Sequence, residues 1–171
     1  MRALLLLLLL ALPVVQVGDG SGTKGSFVKV PIEVAEASHI GSMDIALAYD
    51  PSVLRAVWVG KGDLTANALL QGNAKPPGRV LIAMADPGGI TGNGSIAMVE
   101  FEVLGEAGAR SALAFTDLEA SGVDAMAVPL ANRTGTFTVA ETPPPPPEKG
   151  VCGPTLVILV ATLVLWRRRY A

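Results

Sequence analysis

Residues 41–51 read "GSMDIALAYDP", and Met43, Ile45, Leu47 and Tyr49 alternate there with Asp44, Ala46 and Ala48. A two-residue apolar period marks a β-strand with one face in a core. Asp50-Pro51 follows at once, and an aspartate ahead of a proline starts a turn. The centre of the chain is therefore strand and turn, not helix. The outward half of the strand is unusual. A solvent face is ordinarily polar, whereas this one is alanine around a single aspartate.

The same pattern extends in both directions. In "FVKVPIEV" (27–34), Val28, Val30, Ile32 and Val34 share one face, with Lys29 and Glu33 outward. Pro31 has no N–H to give a ladder, which predicts a sheet edge or a bulge. "RVLIAMA" (79–85) sets Val80, Ile82 and Met84 against Leu81, Ala83 and Ala85. Further strands are predicted at 14–17, 53–60 and 95–105, and in "SALAFTDLEA", "MAVPLA" and "GTFTVA". "DPGGITGNG" (86–94) reads as a loop between two of them, and "GDLTANALLQGN" (62–73) as one helical turn before a loop. Short strands with turn signals at this spacing predict an all-β fold, a β-sandwich of roughly nine strands. Should the strands of Asp44 and Ala83 be neighbours, their outer faces form a flat patch with little side-chain entropy to lose on contact. The alternative is that the alanines pack internally beneath a loop.

Composition narrows the function. Among 171 residues the formal charge is −2, and the scattered acids and bases argue against a nucleic-acid surface. Cys152 is the only cysteine, so an intrachain disulfide and a four-cysteine zinc site are both excluded. His39 is the only histidine and reads as a turn residue rather than a ligand. No spacing among the carboxylates singles out a catalytic pair. The 86–94 segment lacks the Lys-Ser/Thr of a phosphate cradle, and the chain has no EF-hand loop. A sugar platform needs exposed aromatics. Trp166 and Tyr170 lie in the tail, and alternation allows Phe27, Tyr49, Phe101, Phe115 and Phe137 in the core, which leaves Trp58.

Both ends read as address labels. "MRALLLLLLLALP" (1–13) has Arg2 before an apolar run, the pattern of a signal peptide. No Ala-x-Ala precedes Val14, and an uncleaved anchor is the alternative. Residues 141–151 form a proline-rich spacer whose consecutive prolines, 143–147, extend at about 3 Å per residue. The segment 152–171 opens on Cys152-Gly153-Pro154, continues apolar over 155–166 and ends in Arg167, Arg168 and Arg169. The apolar run reaches roughly 18 Å as a helix against a hydrocarbon core of roughly 30 Å, with the arginines on the cytoplasmic side. This segment resembles an archaeal C-terminal sorting signal with a Cys-Gly-Pro core, which implies processing near Cys152 with lipid attachment. A plain membrane anchor with an incidental cysteine is the alternative. Either places residues 14–140 on the extracellular face of the membrane. Sequons at Asn93 and Asn132, candidates for glycosylation, suit that location.

Four strings, "VGDGSGTKGSFVKVPIEV", "HIGSMDIALAYDPSVLRAVWVGKGDL", "ADPGGITGNGSIAMVEFEV" and "GTFTVA", together resemble a cohesin domain over residues 14–140. The most specific is Leu-x-Tyr-Asp-Pro-x-x-Leu, beginning at Leu47. The resemblance implies a nine-stranded jelly-roll sandwich that binds dockerin modules, with calcium in the partner's loops and no cofactor or metal in this chain. It implies a docking face of Ser42, Asp44, Ala46 and Ala48 beside Leu81, Ala83 and Ala85. Rim contacts are expected from Asp86, Gly88, Thr91 and Asn93. Asp44 would accept a hydrogen bond from the dockerin helix, and Ser42 departs from the asparagine frequent in relatives. The expected function is a non-catalytic cell-surface scaffold that binds dockerin-bearing extracellular proteins. The alternatives are direct glycan binding, as a carbohydrate-binding module or adhesin, and a purely structural surface-layer stalk.

Overall fold

The computed structural model describes residues 12–141, and the segments expected to be a signal peptide, a proline-rich spacer and an anchor lie outside them, apart from Leu12, Pro13 and Glu141. The described chain is β throughout. Its strands are β1 (Val14–Val17), β2 (Gly20–Gly22), β3 (Phe27–Ala48), β4 (Leu54–Lys61), β5 (Leu69–Asn73), β6 (Arg79–Val103), β7 (Arg110–Gly122), β8 (Ala131–Arg133) and β9 (Gly135–Val139). Among the described residues no helix is long and apolar enough to cross a membrane.

Two of these strands organise the rest. The first half of β3 and the second half of β6 pair antiparallel from Phe27↔Glu102 to Val34↔Gly94, and their other halves pair from Ser42↔Ala85 to Ala48↔Arg79. Between them the ladder is never fully broken, since Ala37 still faces Gly92 and Ile40 faces Ile90 across register shifts. The segment expected to be a loop, 86–94, is thus part of a continuous strand. Likewise, the strand expected at 27–34 and the one expected within 41–51 are a single strand. Bulges explain both corrections. Glu36 (φ 59°), His39 (φ 51°), Gly89 (φ 75°) and Gly92 (φ 104°) occupy the left-handed region, and extra residues of this kind bend a strand without ending its pairing. Asn93 Oδ1 accepts from the Glu36 N–H at 2.6 Å and Thr91 Oγ1 from the His39 N–H at 3.1 Å. These side chains occupy donors that the bulges remove from the ladder.

The bend yields two layers. One runs β5, β6 (79–85), β3 (42–48), β7; the other runs β8, β1, β3 (27–35), β6 (94–103), β4. The start of β7 pairs with β9, which lies parallel to β2. Met43, Ile45, Leu47, Val80, Ile82 and Met84 from the first layer meet Val15, Val30, Ile32, Val34, Val99 and Phe101 from the second in one core. A residual bulge follows Ile32, next to Pro31, as the missing N–H predicted. β2 was expected to be turn, and "MAVPLA" supplies only a bridge at Ala127 and the first residue of β8. Residues 69–73, expected to lie in a loop, form an edge strand. Phe27, allowed in the core, is 61% exposed; alternation that buries Val30 and Ile32 turns it outward with Lys29.

The Tyr-Asp-Pro corner is a structural clasp. Tyr49 meets Phe101 edge-on, with ring centroids 5.2 Å apart, and its hydroxyl oxygen accepts from the Ala56 N–H at 3.3 Å. The Asp50 N–H donates to Ser111 Oγ at 2.9 Å, while the Asp50 carbonyl accepts from Val53 and Leu54.

Candidate docking face

The strands of Asp44 and Ala83 lie side by side, and Asp44 and Ala83 are register partners. Pairing on both flanks generates rows across the outer face of the first layer. One row is Leu69, Ala85, Ser42 and Ser121; the next is Gln71, Ala83, Asp44 and Glu119; the third is Asn73, Leu81, Ala46 and Asp117. Ala48 follows, beside Arg79 and Ala114. Alanines and Ser42 make up most of the middle two strands, apart from Asp44, Leu81 and Arg79, and Gln71, Asn73, Asp117 and Glu119 stand along the flanking two.

It is not flat. Ala46 is buried, only 4% exposed, which corrects the expectation that it paves an open floor. Asp44, Gln71, Asn73, Arg79, Leu81 and Asp117 stand around it and enclose a shallow depression of about 330 Å³. Ala46, between Leu81 and Asp117, lies below the level of these longer neighbours, whereas Ala83 in the adjoining row stays exposed. A bulge in β7 at Thr116, whose hydroxyl donates to the Ala46 carbonyl at 3.3 Å, places Asp117 opposite Ala46.

Asp44 and Glu119 are both exposed and directly opposite, which puts their Cβ atoms about 5 Å apart. Neither has an ion-pair partner among the described residues, where the pairs are Lys24–Glu106 and Arg55–Glu102. Like charges facing each other across strands are destabilising, so a donor arriving from outside relieves a repulsion already present. The sequence alone does not assign Glu119, Asp117, Gln71 or Asn73 to this face. The alternation in "FTDLEAS" puts Asp117 and Glu119 on one face, but only the register of β7 against β3 brings them to Asp44.

The rim candidates, Asp86, Gly88, Thr91 and Asn93, sit at the bend. Asp86 Oδ1 accepts from the Gly88 N–H at 2.9 Å in a local turn. Thr91 and Asn93 are exposed but engaged by the β3 backbone, as described above. Asn132 is exposed on β8, and Cys152 lies outside the described residues. The buried polar side chains, Thr65 and Ser111, are both hydrogen-bonded to backbone. Among the described residues no cluster of His, Cys, Asp or Glu is arranged to hold a metal ion.

Fold and face together define a jelly-roll β-sandwich module with a small-residue outer sheet framed by carboxylates. The cohesin domain family model matches residues 13–137, and the chain belongs to the cohesin family. Among solved structures it is similar to a non-cellulosomal cohesin from the hyperthermophilic archaeon Archaeoglobus fulgidus, with 30% identity and a TM-score of 0.71 over 77% of this chain and 93% of that one. CaCohA2 of Clostridium acetobutylicum, solved in complex with CaDoc0917, shares 26% identity at a TM-score of 0.69, covering 75% and 99%. The sixth cohesin of scaffoldin B from Acetivibrio cellulolyticus, in complex with a Cel5 dockerin mutant, shares the fold at 17% identity and a TM-score of 0.70, covering 75% and 99%. A comparison with curated protein sequences returned no match.

Proposed function

We propose that this chain is a non-catalytic scaffold module that captures dockerin-bearing extracellular proteins on the outer face of its first layer. The observation that carries the reading is Asp44, exposed in the middle of that face and bordered by Ala83 and the recessed Ala46. Small residues let a partner helix approach the sheet closely, and an unpaired carboxylate there accepts a charge-assisted hydrogen bond. Membership of the cohesin family supports the choice of partner, since cohesins of that fold are solved in complexes with dockerins. Calcium belongs to the partner's loops. The Cys152 segment tethers the module to the membrane through the proline-rich spacer, with the domain outside the cell and glycans on Asn93 and Asn132.

The test is calorimetric titration of the protein with dockerins from its own organism, in calcium and then in chelator. Binding that needs calcium is the expected result. Absence of binding across that dockerin repertoire overturns the reading. Mass spectrometry of membrane-extracted protein checks the modification of Cys152 and both sequons.

A further inference from the structure

The outer face of the second layer, on the opposite side of the sandwich from Asp44, carries two exposed aromatic rings. Trp58 is 46% exposed and Phe27 61%. A Cβ placed on Gly60 would stand 1.9 Å from the Trp58 ring, so the indole rests directly against the glycine backbone. A bulge between Ala56 and Trp58 turns the tryptophan outward in an edge strand that buries Leu54 and Ala56. Register places Trp58, Glu100 and Lys29 in one row, and Arg55, Glu102 and Phe27 in the next. Two strand spacings and one two-residue step separate the two positions in the sheet by roughly 12 Å. Lys29 Nζ stands 5.3 Å from the indole centroid.

The chemistry of these two rows is specific. Two cations and two carboxylates alternate, so the face has no net charge with which to collect a polyanion or a polycation. Flat rings offer π-surface for C–H groups, while Lys29 and Glu100 supply a donor and an acceptor between them. A pyranose presents that combination, with C–H bonds on its face and hydroxyls around its edge. We propose that this layer binds an uncharged polysaccharide, with one sugar stacked on Trp58, another reaching Phe27, and hydroxyls bonded to Lys29 and Glu100. The flexible Lys29 stem lets its ammonium move to the ring edge as the sugar arrives. Because the first layer faces the other way, a dockerin and a glycan chain can be held at once.

Native affinity electrophoresis of the full-length protein in gels cast with hydroxyethylcellulose or galactomannan tests this. At least one of the two polymers should retard the protein, with Trp58→Ala raising the dissociation constant at least tenfold and Phe27→Ala raising it several-fold. Calcium-dependent dockerin binding should be unaffected by Trp58→Ala, which separates this proposal from the docking reading. Near-UV circular dichroism verifies that each variant is folded, and Phe27→Ala decides if Trp58→Ala is not. Unaltered migration in both gels overturns the proposal. Retardation that survives loss of the rings, or retardation in polygalacturonate alone, does so equally.

Discussion

At the residue scale, Asp44 carries the docking argument and Asp50 the integrity of the corner behind it. Removing a charge-assisted contact costs about 1–3 kcal/mol, so Asp44→Ala should weaken dockerin binding by that amount in a calorimetric titration. Unchanged affinity would take Asp44 out of the interface. Asp50 is held below its ordinary carboxyl value of 3.8, first by the Ser52 hydroxyl and then by the Ser52 N–H, which donate to Oδ1 at 2.6 and 2.8 Å. A folded-state value depressed in this way stabilises the fold above the ordinary pKa, and that contribution is lost as pH falls through the folded one. Ser52→Ala should therefore move the Asp50 midpoint upward in a carboxyl NMR titration. A midpoint that stays in place would refute the assignment.

At the element scale, the decisive feature is the double bend of β3 and β6. Left-handed residues are costly when they are not glycine, and Glu36 and His39 are held there by the bonds their N–H groups donate to Asn93 and Thr91. Both bonded N–H groups are near solvent, so water offsets part of each loss. Thr91→Val and Asn93→Ala should each destabilise the domain by about 0.5–1.5 kcal/mol, read from urea unfolding. Neutral substitutions would mean the bend is set by the glycines alone. The glycine run in 86–94 announces a break in regular geometry, and a loop is its simplest meaning. Two strands bulging together are a tertiary event, because each bulge is tolerated only where the partner bends with it.

For the whole molecule, β1 lies parallel to β8 and β2 parallel to β9, so the described chain begins beside Ala131 at the bend and leaves beside Gly22 at the opposite end. The exposed Leu69, Val123 and Met126 border the docking layer at the bend, away from the C-terminal exit. The C-terminal tether proposed above would leave that rim directed outward. With Cys152 as the only cysteine, stability rests on one apolar core. The thermal midpoint should be the same with and without reductant, and a shift would reveal an intermolecular disulfide. The alternation of "GSMDIALAYDP" by itself determined strand, inward face and the turn after Tyr49, because side-chain direction in a strand has a period of two. It also placed Asp44 and its alanines on the outer side. Only the tertiary structure decided that Ala83 lies beside Asp44, that Glu119 faces it, that Ala46 is recessed, and that Phe27 and Trp58 share an open sheet. Those are relations between strands distant in sequence, set by register and bulges, and no local period encodes them.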